Sequence, residues 1–344
     1  MSNRLKRAIL VAAAFTMICA CGQQQTVTVD ENGLAPLLAE GMTGLGITAG
    51  DAALCVITNA SYAIRDGQTT ERDIDIIASA TGCTIGKGNL LLFHRPSTVP
   101  VKIAMYNRSS HECTVIDTDG AAPTLRGPVS LAFERVNDET AWGEIEDTLG
   151  ASDAFTITTV AHQWAAGAPF DFLKCAELHN HLCPGVTSGY FIAKYIQKFH
   201  PLETGESYTY LSCPPWCKDD AIQMLLDLTP GKRSIFVKEL SDEQLERVAD
   251  PDVAGIMLLR HGGTDTVTAI VLSFDWDAAA EASGSQGFSG MQSTLTTITG
   301  LIPFYGEPER FVNVPATYEL TADAADRLLF AGVNPYEELG FIKE

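Results

Sequence analysis

The sequence predicts an α+β protein built from two tandem units. Segments with helical periodicity and segments rich in β-branched residues are mixed, without the regular strand–helix–strand alternation of a parallel sheet. The length of 344 residues and the hydrophobic content of 46% suit two domains with ordinary cores. The chain also echoes itself, because Gly46–Gly50 resembles Gly185–Gly189 and the run 75–87 resembles the run 220–232. We therefore predict two diverged copies of one α+β core that pack as a pseudo-dimer.

The N-terminal segment predicts export and a lipid anchor. Basic residues precede an apolar stretch over 8–18, which runs into Cys19-Ala-Cys21-Gly. This order is typical of a bacterial lipoprotein signal, so residues 1–21 are predicted to be a signal peptide ending at Cys21, which would carry the lipid. Residues 22–35 would be a polar tether. The alternatives are an ordinary secretory signal or an anchor helix, for which the apolar run is short. The mature protein is expected in the cell envelope, lipid-anchored on the outer side of the cytoplasmic membrane or in the periplasm.

The first predicted unit covers residues 36–165 and contains a glycine-rich turn. Thr70–Asp73 fits an N-terminal capping box, and Gly82 would end the helix that follows. Residues 82–89 read Gly-Cys-Thr-Ile-Gly-Lys-Gly-Asn and lead into a predicted strand over 90–94. Free backbone N–H groups and a lysine suit an anionic ligand, so this turn is a candidate substrate site. Its binding side chains would be those of Thr84, Lys87 and Asn89; the alternative is a plain helix cap and turn.

The second predicted unit covers residues 166–344 and carries the strongest functional signal, the run His179-Asn-His181-Leu-Cys183-Pro-Gly. Alternate residues of an extended segment point the same way, so the two imidazoles and the thiol are predicted to share one face. The following proline suits the first turn of a helix to Phe199, and a thiol at a helix N-terminus loses its proton more easily. Imidazole and thiolate ligands favour a divalent transition metal such as zinc or iron. The alternative is that the histidines are ordinary polar residues and the cysteine is half of a disulfide.

The remaining elements of this unit follow from local patterns. Residues 170–178 suit a helix, 267–274 a strand rich in β-branched residues, and 320–331 a helix stopped by Gly332. Ser241-Asp-Glu-Gln244 fits a capping box.

The motif at 179–185, together with Cys217-Lys-Asp-Asp-Ala-Ile-Gln, resembles the FmdE family, which is named for a component of formylmethanofuran dehydrogenase. The resemblance is best over residues 171–240. It implies an α+β core and a metal or active site at the motif histidines and cysteines, with His179, Cys183 and Cys217 as ligands. The turn over 82–89 also fits a pattern of this family. No paired Cys-x-x-Cys follows Cys217, so the zinc finger of some family members is not expected.

The self-alignment predicts a composite site. It places Glu40, Met42 and Gly44 against the two histidines and Cys183, so the first copy would have lost its ligands. The second copy in turn has lost the glycine-rich turn. We therefore expect the second repeat to supply histidine and cysteine and the first to supply the loop over 83–89.

The net charge restricts the class of partner, and the cysteines raise an alternative to the metal site. The formal net charge of −20 argues against nucleic acid, because phosphate binding needs a basic face. In an oxidising compartment, Cys213 and Cys217 could instead form a disulfide, which is the main competitor of a metal site.

Two classes of function follow. In the first, the protein is an enzyme in which the three ligands hold Zn²⁺ or Fe²⁺ with one open position, His181 acts as acid or base, and Lys87 binds a small anionic substrate. In the second, it is a lipoprotein that binds a metal or metal complex and delivers it to a transporter or redox partner. The non-enzymatic class also includes a disulfide-stabilised binding module.

Overall fold

The computed structural model describes residues 33–120 and 122–343, which form two α+β units in tandem. The first unit contains, in chain order, α1 (Leu34–Gly44), β1 (Leu54–Thr58), β2 (Ile64–Arg65), β3 (Gln68–Thr69), α2 (Glu71–Thr81), β4 (Leu90–Leu92), β5 (Lys102–Asn107), β6 (Glu112–Asp117), β7 (Thr124–Ser130), α3 (Phe133–Val136), α4 (Glu139–Leu149) and α5 (Ala151–Ala165). The second contains α6 (Phe170–Leu173), α7 (Cys175–His179), α8 (Pro184–Phe199), β8 (Ser207–Ser212), α9 (Lys218–Leu226), β9 (Ile235–Val237), α10 (Asp242–Glu246), β10 (Val253–Arg260), β11 (Thr266–Phe274), α11 (Trp276–Ser283), α12 (Gly290–Gly300), β12 (Val312–Thr321), α13 (Ala322–Leu329) and α14 (Pro335–Leu339).

The two five-stranded sheets have the same topology, which confirms the predicted α+β class and its two units. Their strand orders are β4-β1-β5-β6-β7 and β9-β8-β10-β11-β12. In each sheet the long second strand pairs in parallel with the short edge strand and antiparallel with the third, and the other pairs are antiparallel. The units differ in three connections. The β2–β3 pair lies between β1 and α2 only in the first unit, and α10 lies between β9 and β10 only in the second. In addition, β7 follows β6 directly, whereas α11 and α12 lie between β11 and β12.

The two sheets share one central core. Side chains alternate along each strand, so one face of each sheet packs inward and the other outward. The inward faces, which carry Tyr106 and Tyr210, pack with α5 and α8 in a single apolar cluster. The outward faces are covered separately, by α1 and α2 in the first unit and by α13 and α14 in the second. The units are therefore joined through one interior, to which they present non-equivalent faces. The helices α1 and α2 cover the outward face of the first sheet, whereas α8 and α9, which have the same places in the second unit, pack inward.

Several local predictions are confirmed and others are corrected. The helix after Thr70 ends at Gly82, which is left-handed at φ 71°, and the capping box at Ser241 is present. At Thr70 the box is wrong, because its hydroxyl donates to the carbonyl of Ala63 instead of accepting from the helix. The helix predicted over 320–331 begins two residues late, since β12 extends through Thr321. The predicted helix over 170–178 is divided into α6 and α7.

The pairing of Gly46–Gly50 with Gly185–Gly189 is wrong. Residues 46–50 form turns after α1, whereas residues 185–189 are the first turn of α8. Sequence similarity over a few small residues carries too little information to fix the alignment of two repeats across an insertion. Glu40, Met42 and Gly44 therefore lie inside a helix and do not correspond to the His179–Cys183 segment.

The signal peptide, Cys21 and most of the tether lie outside the described residues, and the tether's last two predicted residues already belong to α1. Within 33–120 and 122–343, no helix combines the length and apolar character that crossing a bilayer requires.

Candidate metal centre

His179 and Cys183 approach each other through a turn. His179 is the last residue of α7, and Asn180 then adopts a left-handed conformation with φ 76°. Cys183 is extended at φ −140° and caps α8, where Pro184 occupies the first helical position. The prediction of a simple extended segment is therefore wrong between 179 and 181, because the chain reverses there. The prediction that Cys183 lies at a helix N-terminus is confirmed.

Cys217 reaches the same place from a second helix terminus. It is the residue before α9, and a buried network holds the segment in front of it. Asp219 accepts hydrogen bonds from the Ser212 hydroxyl (2.6 Å) and the Trp216 N–H (2.7 Å). The buried ammonium of Lys218 donates to the Pro214 carbonyl at 2.6 Å and to Asp219 at 3.0 Å. These bonds fix the turn that aims the thiol.

Two glycines allow the helices to approach this closely. A Cβ atom on Gly189 would lie 2.1 Å from the Lys218 carbonyl oxygen, so α8 and α9 are in backbone contact there. A Cβ atom on Gly185 would lie 2.8 Å from Cys217 Cβ, 3.5 Å from Cys217 Sγ and 3.7 Å from Cys183 Sγ. Gly185 therefore lies directly against both sulfur atoms.

His179, Cys183 and Cys217 form one cluster that could hold a metal ion. One ligand atom from each side chain lies within 4.8 Å of the other two. His179 Nδ1 makes a 2.6 Å hydrogen bond to Asp220 Oδ2, while its Nε2 atom is buried without a hydrogen-bond partner among the described residues. A metal-binding histidine commonly donates one ring N–H to a carboxylate, which leaves the other nitrogen for the ion. Two sulfurs and one nitrogen suit zinc or ferrous iron.

The charges of this cluster are strongly coupled. The hydrogen bond from Cys183 and the neighbouring His179 lower the pKa of Cys217 to about 4. The same hydrogen bond and burial raise the pKa of Cys183 well above its ordinary value. Burial alone would lower the pKa of His179, but Asp220 and Cys217 outweigh it and raise that pKa to about 9. Without metal at neutral pH, these pKa values correspond to one thiolate beside an imidazolium and a thiol, and the last two would have to release their protons to bind a metal ion.

His181 lies beside the cluster and contributes no atom to it. Its ring centroid is 4.4 Å from that of His179. Burial and the neighbouring His179 lower the pKa of His181 to about 4, so it is neutral at pH 7. A cation bound at the cluster would lower this pKa further, so His181 is a weak base here, and its acid–base role stays a prediction.

The first unit supplies two residues that sequence reasoning missed, both on α5. The ring of Phe155 packs edge-on against His181, with centroids 4.9 Å apart. The Thr159 hydroxyl accepts the Leu182 N–H at 3.3 Å. Phe155 and Thr159 are four residues apart, so the sequence could show that they share one face of a helix. No local pattern, however, indicates that this face contacts a segment of the other unit.

The side chains of the glycine-rich turn form hydrogen bonds to nearby backbone groups. Thr84 Oγ1 accepts the Lys87 N–H at 3.2 Å, and the Lys87 ammonium donates to the Gly82 carbonyl at 2.8 Å. Asn89 Oδ1 accepts the Thr84 N–H at 3.0 Å, and its amide donates to Leu54. These bonds make the turn a local cap that leads into β4, and its role in binding a substrate stays a prediction. The turn packs against α6, since a Cβ atom on Gly88 would lie 3.6 Å from the Phe170 ring.

The cysteines outside the cluster are part of the interior. Cys213 and Cys217 are both free thiols, and Cys213 is fully buried on the outward face of the second sheet. The competing disulfide is therefore absent. Cys175 is also fully buried and bonds to the Asp171 carbonyl at 3.5 Å, as expected for a core position.

The family model FmdE, described as "Molybdenum formylmethanofuran dehydrogenase operon", matches residues 178–282. The match begins one residue before His179, includes Cys183 and Cys217, and ends in α11, before α12. No curated protein matches the chain.

Proposed function

We propose that this chain, which carries an FmdE domain over residues 178–282, is a metal-dependent enzyme that acts on a small molecule. The observation that carries the proposal is the buried Nε2 atom of His179, which lies next to two sulfur atoms while Asp220 holds the other ring nitrogen. In the described residues the cluster has three ligand side chains, the number that catalytic zinc sites commonly use with a fourth position left open.

Each residue has a distinct part in this proposal. His179, Cys183 and Cys217 would hold the ion, and Asp220 would keep His179 oriented with Nε2 toward it. A bound Zn²⁺ or Fe²⁺ supplies Lewis-acid chemistry at the open position. His181, uncharged at neutral pH, would hydrogen-bond the reacting group and hold its proton only transiently, because its pKa is about 4. Lys87, from which an anionic substrate was predicted, donates to the Gly82 carbonyl and has no part in this proposal.

Elemental mass spectrometry of anaerobically purified protein tests the metal site. We expect about one equivalent of zinc or iron in the wild type. The Cys183→Ala and Cys217→Ala variants should lose the ion, whereas Cys213→Ala, which removes a buried thiol outside the cluster, should retain it. A metal-free wild type, or equal loss in all three variants, would contradict the assignment.

A metal-delivery protein is the second candidate. Trp216, next to Cys217, is 56% exposed and offers apolar surface to a partner such as a transporter or redox protein. X-ray absorption spectroscopy of the loaded protein separates the candidates. Three protein ligands plus one light atom support an enzyme. Four protein ligands, with the spectrum altered in His181→Ala, indicate a closed carrier site.

We also propose that the protein is an exported lipoprotein, supported by the basic–apolar–cysteine order of residues 1–21. Incorporation of labelled palmitate in the native host should occur in the wild type and disappear in Cys21→Ala. Labelling that persists in the variant would contradict the lipid-anchor proposal.

A further inference from the structure

A wide groove lies between the two units, beside the metal centre. Its volume is about 960 Å³, within the size range of small-molecule sites. One wall is formed by α4 and Phe155 of the first unit, and the other by the start of α12 in the second. Because α12 follows the end of the FmdE match and has no counterpart between β6 and β7, this groove is a feature of the fused chain.

The groove wall combines acidic and aromatic side chains. Asp138, Glu139 and Glu146 line it, whereas no lysine, arginine or histidine of the described chain does. Asp138 caps α4 by accepting the Ala141 N–H at 2.8 Å, and the two glutamates form no ion pair with any described residue. Their charges are therefore available to a ligand.

Apolar contact and an unused acceptor accompany these charges. Trp142, Phe155 and Met291 line the groove, and the faces of aromatic rings attract cations. Asn137 Oδ1, also on the wall, is buried and has no hydrogen-bond partner in the described part of the chain. An acceptor without a partner is costly unless a ligand or water donates to it.

We propose that this groove binds an organic cation that carries an apolar ring, such as an arylalkylamine. The ammonium group pairs with the carboxylates of Glu139 and Glu146 and donates to Asn137, while the ring packs against Trp142 and Met291. Phe155 is shared between the groove wall and His181, at 4.9 Å between ring centroids, so the bound ring lies one side chain away from the metal cluster. The site goes beyond the proposed function and needs no metal to form.

Calorimetric titration of the full-length protein with matched probes tests the proposal. Phenylbutylamine, phenylbutanol and phenylvalerate share a ring and differ mainly in charge. We expect measurable binding of the amine only, with affinity falling as salt is added. The double variant Glu139→Gln/Glu146→Gln should lower the affinity for the amine about tenfold. The variant loses the ion pairs that offset the cost of removing the ammonium group from water. Glu243→Gln, an exposed glutamate on α10 away from the groove, should have no effect.

Several outcomes overturn the proposal. Equal binding of amine and carboxylate, or an unchanged affinity in the double variant, shows that the groove does not select cations. A concentration-dependent dimer in analytical ultracentrifugation that blocks amine binding assigns the groove to a second copy. The titrations are run on metal-loaded and on metal-free protein. A failure to bind the amine would leave the metal-site proposal unaffected, and a metal-free wild type would leave the groove proposal unaffected.

Discussion

Replacing Gly185 by alanine is expected to weaken metal binding much more than it weakens the fold. The added Cβ atom would lie 2.8 Å from Cys217 Cβ, whereas ordinary contacts begin at 3.4 Å, so the atoms must separate by about 0.6 Å. Metal–ligand distances tolerate deviations of only about 0.2 Å. The displacement therefore exceeds the tolerance of the site, and we expect a loss of about 10- to 100-fold in metal affinity.

A competition titration with a chromogenic chelator measures this loss under anaerobic conditions. Gly143→Ala is the matched control, because Gly143 lies in α4 and its added Cβ would meet nothing within 4 Å. That control should keep its metal affinity and gain up to about 1 kcal/mol of stability. If Gly185→Ala binds metal as tightly as the control, the ion does not lie between the two sulfur atoms that Gly185 faces.

Three further predictions concern the same cluster. Asp220→Asn should weaken metal binding by about 10- to 100-fold, and NMR titration of the metal-free variant should show the pKa of His179 falling below about 9; an unchanged affinity would mean that Asp220 does not orient the ligand. In metal-free protein the iodoacetamide reaction of Cys217 should hold a plateau from pH 8 downward and fall only as the pH drops through about 4, because the thiolate persists above that pKa. Peptide mass spectrometry should find Cys213 unmodified at neutral pH, since burial raises its pKa to about 11, and a rate that climbs steadily between pH 7 and 9 would refute the thiolate. Gly189→Ala should lower the free energy of unfolding by about 1–3 kcal/mol in denaturant titrations, because its Cβ would lie 2.1 Å from a backbone oxygen; wild-type stability would show that the helices are not in contact.

Local signals predicted the elements that local chemistry controls. Pro184 marks the start of α8 and Gly82 the end of α2, because each residue has a backbone preference that needs no tertiary partner. His179 and Cys183 were singled out because histidine and cysteine at close spacing are informative by themselves, whereas Cys217 was implied only by the family resemblance. The α+β class followed from the mixture of helical and strand patterns along the chain, and the two sheets confirm it.

The features that sequence reasoning missed depend on contacts between distant segments. The hydrogen bond between Asp220 and His179 joins residues far apart in the chain, and Phe155 reaches His181 from the other unit. Neither residue carries a local pattern that indicates its partner. The alignment at Gly46 failed for a related reason, since small residues recur in turns and in helix starts alike.

The shared interior determines how the molecule unfolds and whether either half can be lost. Tyr106 of the first sheet and Tyr210 of the second are both fully buried in the same cluster, so separating the halves would open that cluster to water. The molecule should therefore melt as one cooperative body, with slow amide exchange lost together in both sheets. The first unit supplies no ligand side chain to the described cluster, yet it remains indispensable. Deleting it would remove one side of the apolar core on which the second unit depends.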